Sequence, residues 1–275
     1  MLNHTSPWVK LAIIILTIPI LGTIATAKNS IEISKTTGAV TKSKFAHHPM
    51  KIVQLVGAAS LPNHRQIRQV AGNPLTPEDY FRSSERKYEK KDYQGALADL
   101  NQSISINPNF AEGYAGRGTV KHQQLQDYRG ALADYNRSIQ LKSDNSTVWY
   151  YRGMLKANRL QDYRGALADY NQAIQLQPDF AVAYSFRGDL KVDRLQDYQG
   201  ALADYNQAIQ IRPSLAIAYG QRGELKHDRL KDRAGGIADE QQAARLFKQQ
   251  GDLENHKIAL GLLKKWQQTD KNPDR

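Results

Sequence analysis

From residue 76 onward the apolar and polar positions of this chain repeat every 35 residues. Asp92-Tyr93-Gln94-Gly95-Ala96-Leu97-Ala98-Asp99 returns, with small changes, at 127–134, 162–169 and 197–204, and in degraded form at 232–239. Arg117-Gly118 returns as Arg152-Gly153, Arg187-Gly188 and Arg222-Gly223. Pro108 returns as Pro178 and Pro213, with Ser143 in its place once. A fixed period of this length marks a solenoid, in which each unit buries its apolar face only against its neighbours.

Within each unit the spacing predicts two helices. In the first, Tyr114, Gly118 and Leu125 recur as Trp149, Gly153 and Leu160, then as Tyr184, Gly188 and Leu195, then as Tyr219, Gly223 and Leu230. An aromatic at i and a glycine at i+4 share one helix face. The glycine removes a side chain where another helix must approach closely, and the ring fills the space beside it. In the second helix Ala131, Leu132, Tyr135, Ile139 and Leu141 form an apolar stripe, repeated from Ala166 to Leu176. Asp127 and its repeats stand where an N-cap is wanted, since a side-chain oxygen can accept from the unpaired amides of a first turn. Pro178 and Pro213 stop the second helix, because proline lacks the N–H and clashes with the preceding turn.

This arrangement resembles the tetratricopeptide repeat (TPR). Tyr184, Gly188, Ala201, Tyr205, Ala208 and Pro213 fill that family's aromatic, small-residue and closing-proline slots in one unit. The wording R-G-x-x-K with D-Y-x-G-A-L-A-D looks like that of bacterial, especially cyanobacterial, TPR proteins. The resemblance implies an all-α, right-handed superhelical solenoid of about five helix-turn-helix units at 76–109, 110–144, 145–179, 180–214 and 215–249. The usual unit has about 34 residues; here the inter-helix turn of units two to five is expected to hold one more, as at 159–163. Unit one departs with Ser84 in the glycine slot, and unit five lacks the aromatic and the proline. At 250–268, Leu253, Leu260, Leu263 and Trp266 are spaced for an amphipathic helix, with Asp252 as its cap, that would close the open end of the stack. Residues 269–275 form a tail.

Ahead of the repeats the composition changes twice. Lys10 and the apolar run from Leu11 to Ile24, followed by Ala25-Thr26-Ala27, have the layout of an export signal. Residues 11–24 are short for a bilayer, which takes about 20 apolar residues, so cleavage after Ala27 is expected rather than a retained anchor. Residues 28–75 hold seven basic residues against the single acid Glu32, a net +6, and read as a flexible basic segment. Removing that +6 and the +1 of Lys10 from the chain's +11 leaves only +4 for residues 76–275. Bulk charge therefore gives little reason to expect nucleic acid on the repeats. The absence of cysteine excludes disulfides, thiolate zinc sites and thiol catalysis, and suits a periplasm or a thylakoid-type lumen.

The sequence holds no GxSxG, HExxH, Walker or EF-hand motif, and neither an enzyme, a cofactor nor a metal is expected. His122 and His227 occupy the same slot three units apart, too far to share a metal, and read as solvated or groove-lining. Arg117 and Lys121, recurring as Arg152 and Lys156, Arg187 and Lys191, and Arg222 and Lys226, admit two readings. They could form a basic ladder that, with the basic segment, binds anionic lipid, polysaccharide or nucleic acid. They could instead pair with the equally periodic Asp134, Asp169 and Asp204, which the small net charge favours.

In TPR proteins the first helices line a concave groove that takes an extended peptide or a partner helix. By that register the resemblance implies a partner-binding groove at Tyr88, His122, Tyr150, Met154, Asp189, Val192, Glu224 and His227. The expected function is a non-enzymatic scaffold or adaptor for a protein partner. The groove carries no Lys or Arg, which differs from grooves that clamp a terminal carboxylate, and its Tyr, Met, Val and carboxylates suit an apolar segment flanked by basic or polar groups.

Overall fold

The structure, a computed structural model, describes residues 74–271. The export signal with its cleavage site at Ala27, nearly all of the basic segment, and residues 272–275 of the tail lie outside the described residues. Eleven α-helices are present, and no strand occurs among the described residues. They are α1 (Pro77–Glu89), α2 (Tyr93–Ile106), α3 (Ala111–Val120), α4 (Tyr128–Leu141), α5 (Ser146–Leu155), α6 (Tyr163–Leu176), α7 (Ala181–Leu190), α8 (Tyr198–Ile211), α9 (Ala216–Glu224), α10 (Arg233–Gln249) and α11 (Leu253–Lys271). Each helix packs chiefly on the one before and the one after it. The odd-numbered helix of each pair from α1/α2 to α9/α10 is the first helix of a unit, and α11 packs on α10.

Capping is the same in every pair. Asp92, Asp127, Asp162, Asp197 and Asp232 each accept the amide of the glycine three residues on, at 2.9 Å. A Cβ at those glycines would overlap the capping carboxylate, so aspartate and glycine recur as one device.

The extra residue of the 35-residue unit is a π turn that ends the first helix. Such turns occupy Lys121–Leu125, Lys156–Leu160, Lys191–Leu195 and Leu225–Arg229. In unit one, which lacks the extra residue, the amide of Asp92 reaches back five residues to Lys87 at 2.9 Å. In the other units Asp127, Asp162, Asp197 and Asp232 reach back six, to Lys121, Lys156, Lys191 and Lys226, at 2.9–3.0 Å. The chain reverses through a left-handed residue at Lys91, Gln126, Gln161, Gln196 and Lys231, with φ between 54° and 62°.

First and second helices touch where a glycine meets a ring. Tyr135, Tyr170 and Tyr205 are 1–2 % exposed, and a Cβ on Gly118, Gly153 or Gly188 would lie 2.6–3.0 Å from their ring carbons. Around this contact runs a repeated ion cluster. Arg152 holds Asp169 with two parallel bonds, Nε at 2.9 Å and Nη2 at 2.7 Å. Lys156 reaches the same carboxylate at 2.9 Å, and Arg152 Nη1 donates to Asn136 of the preceding unit at 2.8 Å. The same set joins Arg117, Lys121, Asp134 and Asn101; Arg187, Lys191, Asp204 and Asn171; and Arg222, Lys226, Asp239 and Asn206. Each of these arginines also lies over the aromatic of its own helix, at 4.6–5.5 Å. The ladder is therefore consumed in internal pairing, as its second reading required.

The last helix departs from the expected stripe. Asn255, Ala259, Leu263 and Trp266 are buried, while Leu253 and Leu260 are 60 % and 48 % exposed. Asp252 caps it, accepting from Asn255 N at 3.1 Å.

Two substitutions separate packing from helix propensity. Gly188→Ala, forced against a ring held on every side, is expected to lower urea stability by about 2 kcal/mol. Gly261→Ala, where an added Cβ meets nothing within 4 Å, is expected to raise it by up to about 1 kcal/mol. Asp169→Ala strands two half-buried cations and is expected to cost about 3 kcal/mol in the same assay.

Candidate functional site

Aligning the units at their period separates positions that repeat from positions that vary. The capping aspartates, the Arg-Gly pair, the lysine and the second-helix aspartate are identical in units two to five. On the first helices, three slots change from unit to unit: Thr119, Met154, Asp189, Glu224; then His122, Ala157, Val192, His227; then Gln123, Asn158, Asp193, Asp228. All eight expected groove residues fall in these slots or beside them, and burial divides the eight. Tyr88, Val192 and Glu224 are half-buried, whereas His122, Tyr150, Met154, Asp189 and His227 are 2–8 % exposed.

Tyr150 and Met154 are core, which corrects their reading as open contact groups. The Tyr150 ring is enclosed by Tyr151, Phe180 and Phe186, with centroids 5.0–5.5 Å away, and its hydroxyl lies 3.9 Å from the Met154 sulfur. The histidines are not solvated either. His122 packs edge-on to Tyr128 and Tyr135, and burial, with Arg159 nearby, lowers its pKa to about 4. His227 stacks on Trp266 at 4.1 Å and contacts Asp228 at 2.6 Å. What stays accessible along the first helices is a rim of Tyr88, Gln123, Asn158, Val192, Asp193, Glu224 and Asp228, none more buried than intermediate.

Units four and five gather carboxyl groups. Asp189 accepts from Tyr205 Oη at 2.8 Å and from Gln221 Nε2 at 2.6 Å. Burial, with Asp193 and Glu224 adding to it, pushes the Asp189 carboxyl well above the usual range. Asp193 is raised by burial, against the pull of Arg194 and Arg229. Glu240 occupies the slot of Tyr135, Tyr170 and Tyr205, is 0 % exposed, and has neither carboxylate oxygen hydrogen-bonded. Burial first, then Glu224 and Asp239, raise it to about 9. The missing aromatic of unit five was visible in the sequence. That its replacement is a buried acid emerges only when residue 240 is laid under 135, 170 and 205.

Without the ring, the last pair closes up. Gly236 replaces the alanine of the other units, and Cβ atoms at Gly223 and Gly236 would each meet the other's carbonyl oxygen at 2.8–3.0 Å. Among the described residues no three His, Asp or Glu side chains come together to hold a metal ion, and no helix is long and apolar enough to cross a membrane.

No family model matches the sequence, and no curated relative matches it. Solved structures do match the fold. MamA from Desulfovibrio magneticus RS-1 is 18 % identical, covering 63 % of this chain and 96 % of its own, with a TM-score of 0.55. YrrB, described as a TPR protein with an unusual peptide-binding site, is 17 % identical over 73 % of this chain and 96 % of its own, with a TM-score of 0.53. TTC0263, a thermophilic TPR protein of Thermus thermophilus, is 17 % identical over 67 % and 99 %, with a TM-score of 0.54. The chain has the tetratricopeptide-repeat fold.

Glu240 sets a pH dependence of stability. Its folded pKa lies above that of a free carboxyl, so between about pH 4.5 and 9 the folded state holds a proton that the unfolded chain has released. Stability falls as pH rises through this window, by on the order of 3 kcal/mol at pH 7. Glu240→Leu, which copies Leu100 of unit one, is expected to raise the urea midpoint more at pH 8 than at pH 5.

Proposed function

We propose that this chain is an exported, non-enzymatic scaffold that holds a segment of a protein partner along its first helices. The carrying observation is the division between repeated and varied positions. Cap, clamp and glycine–ring residues recur because each unit solves the same packing problem. The accessible slot of Gln123, Asn158, Asp193 and Asp228 runs down the stack, and packing alone does not require Gln, Asn, Asp and Asp in turn there. A strip that differs at each step can read a partner's sequence while the scaffold beneath stays constant. YrrB, of the same fold, is described as a TPR protein with an unusual peptide-binding site.

Export to a periplasm or lumen, with cleavage after Ala27, belongs to the same reading. It rests on the apolar run behind Lys10 and on the absence of cysteine. The alternative, an anionic surface held by the ladder, loses support because those cations are already paired; the basic segment is its remaining basis.

A pull-down from the native exported fraction tests this. Residues 28–275 are compared with Asn158→Arg plus Asp193→Arg, which alters the rim and spares the buried Tyr150 and Met154, and with a chain lacking 28–75. A partner retained by the deletion and lost with the rim variant is the expected result. Loss with the deletion alone moves the function to the basic segment. The exported protein is expected to begin at Lys28 by N-terminal sequencing.

A further inference from the structure

Two columns of arginine run along the stack, and only one of them is paired. Arg117, Arg152, Arg187 and Arg222 lie over the aromatic of their own helix and hold the second-helix aspartate with two parallel bonds. Arg159, Arg194 and Arg229 stand at the ends of the first helices of units three to five and are exposed. They lie over Tyr128, Tyr163 and Tyr198 of the preceding unit at 5.2, 4.5 and 6.0 Å. Among the described residues none of these three makes a hydrogen bond or an ion pair. Each has the ring beneath it, as in the first column, and lacks the carboxylate. Their surroundings differ. Arg194 and Arg229 both act on Asp193. Arg159 instead acts on the neutral His122, and the positions that match Asp193 beside it are Asn158 and Gln123. The nearest acid along the chain, Asp162, accepts the Gly165 amide. Asn158 is half-buried and makes no hydrogen bond among the described residues, and its Nδ2 has no acceptor. Gln123 Nε2 also lacks one, while its Oε1 accepts from Tyr88 Oη at 2.7 Å.

A guanidinium presents a planar fork that matches a carboxylate, and stacking on a ring holds the fork in place. The repeat itself shows the complete arrangement at Arg152, which lies over Trp149 at 4.6 Å and holds Asp169. At Arg159 the same stack is open to solvent and its neighbours are amide donors, so the group that completes it is an acceptor with negative charge. We infer that Arg159, with Asn158 and Gln123 beside it, binds a carboxylate of the partner segment, and that Arg194 and Arg229 extend the contact one unit at a time. This rests on the scaffold reading above and specifies the partner: an extended segment with an acidic side chain at the junction of units two and three. Successive units lie about 10 Å apart, and an extended chain rises about 3.3 Å per residue. Further acids therefore fall at about every third position toward the C-terminal end of the stack. The contact at Arg159 is the strongest, since Asp193 already offsets the charge of the other two.

The test selects random dodecapeptides displayed on phage against residues 28–275, then measures single peptides, amidated at the C-terminus, by fluorescence polarisation. Amidation leaves side chains as the source of any carboxylate. Selected peptides are expected to share an Asp or Glu, and its replacement by Asn or Gln is expected to weaken binding about tenfold in the native chain. In Arg159→Gln, which copies Gln124 of unit two, the same replacement is expected to cost less than about twofold. Arg159→Lys, which keeps the charge and loses the fork, is expected to fall between the two. The amide form of each peptide is expected to bind the native and Arg159→Gln chains equally, so lost discrimination cannot be lost folding. Peptides without acidic enrichment, or an unchanged cost of the replacement in Arg159→Gln, overturn the inference. If such peptides are still lost with Asn158→Arg plus Asp193→Arg, the scaffold reading stands without the carboxylate site. Acid-dependent binding that survives Arg159→Gln and disappears from the chain lacking 28–75 also overturns it, because the acid then sits on the basic segment.

Discussion

The stack depends on one close approach, glycine against tyrosine, between the two helices of a unit. Gly118, Gly153 and Gly188 leave room for the faces of Tyr135, Tyr170 and Tyr205, and any larger residue would push the helices apart. A glycine inside a helix costs about 1 kcal/mol relative to alanine, yet the contact it permits buries a whole aromatic ring, a larger gain. The ion cluster follows from the same geometry. Only when the helices lie this close can Arg152 and Lys156, one turn apart, converge on Asp169 of the facing helix while the arginine's remaining arm reaches Asn136 of the unit before. Half-buried charges of this kind contribute modestly to stability, but they penalise any slip in register, because a slipped unit leaves a desolvated charge unpaired.

The π turn is the consequence of a longer unit under the same constraint. The glycine–ring contact fixes the facing of the two helices, and the capping aspartate fixes where the second begins. One added residue between them has nowhere to go but the end of the first helix, which widens to a six-residue closure. The left-handed backbone at Gln126, Gln161 and Gln196, which non-glycine residues adopt at a cost of roughly 1 kcal/mol, does not come from the added residue, since Lys91 of the shorter unit one adopts it too. This strain recurs in all five units, at Lys91 and Lys231 as well, so it belongs to the repeat and is no sign of a site.

Most of the fold was legible because repetition supplies its own alignment. The helices, their caps, the proline stops and the glycine–ring contact could be read by comparing one unit with the next. The pairing of the Arg/Lys ladder with Asp134, Asp169 and Asp204 followed from charge balance alone. The candidate site was less legible. Tyr150 and Met154 sit at groove positions in the register, but Phe180 and Phe186 close over the ring, and linear spacing gives no account of how large neighbours fill a narrow face. His122 read as solvated or groove-lining because nothing in its own helix buries it; its burial depends on Tyr128 and Tyr135 from the following helix. In α11 the expected Leu253 and Leu260 are outside and Asn255 and Ala259 inside, since the helix turns toward unit five the face that places Trp266 on His227.

Unit five shows how the repeat can tolerate a carboxyl in its core. Glu240 replaces a ring, and the two helices respond by approaching until Gly223 and Gly236 face each other backbone to backbone. The closer approach recovers packing lost with the tyrosine, but it cannot supply donors to the carboxyl, and Trp266, which covers this end, stacks on His227. A buried acid without partners in a unit otherwise held by the common clamp is a local conflict between stability and sequence. Such conflicts are expected where function sets a residue against packing. On the rim, Asp193 and Asp228 of units four and five stand where units two and three carry Gln123 and Asn158, and the buried carboxyl of Glu240 falls in the last of these units. The end of the stack is thus where the scaffold departs from its own rule in a consistent chemical direction, toward carboxyl groups, neutral and protonated in the core and accessible on the rim.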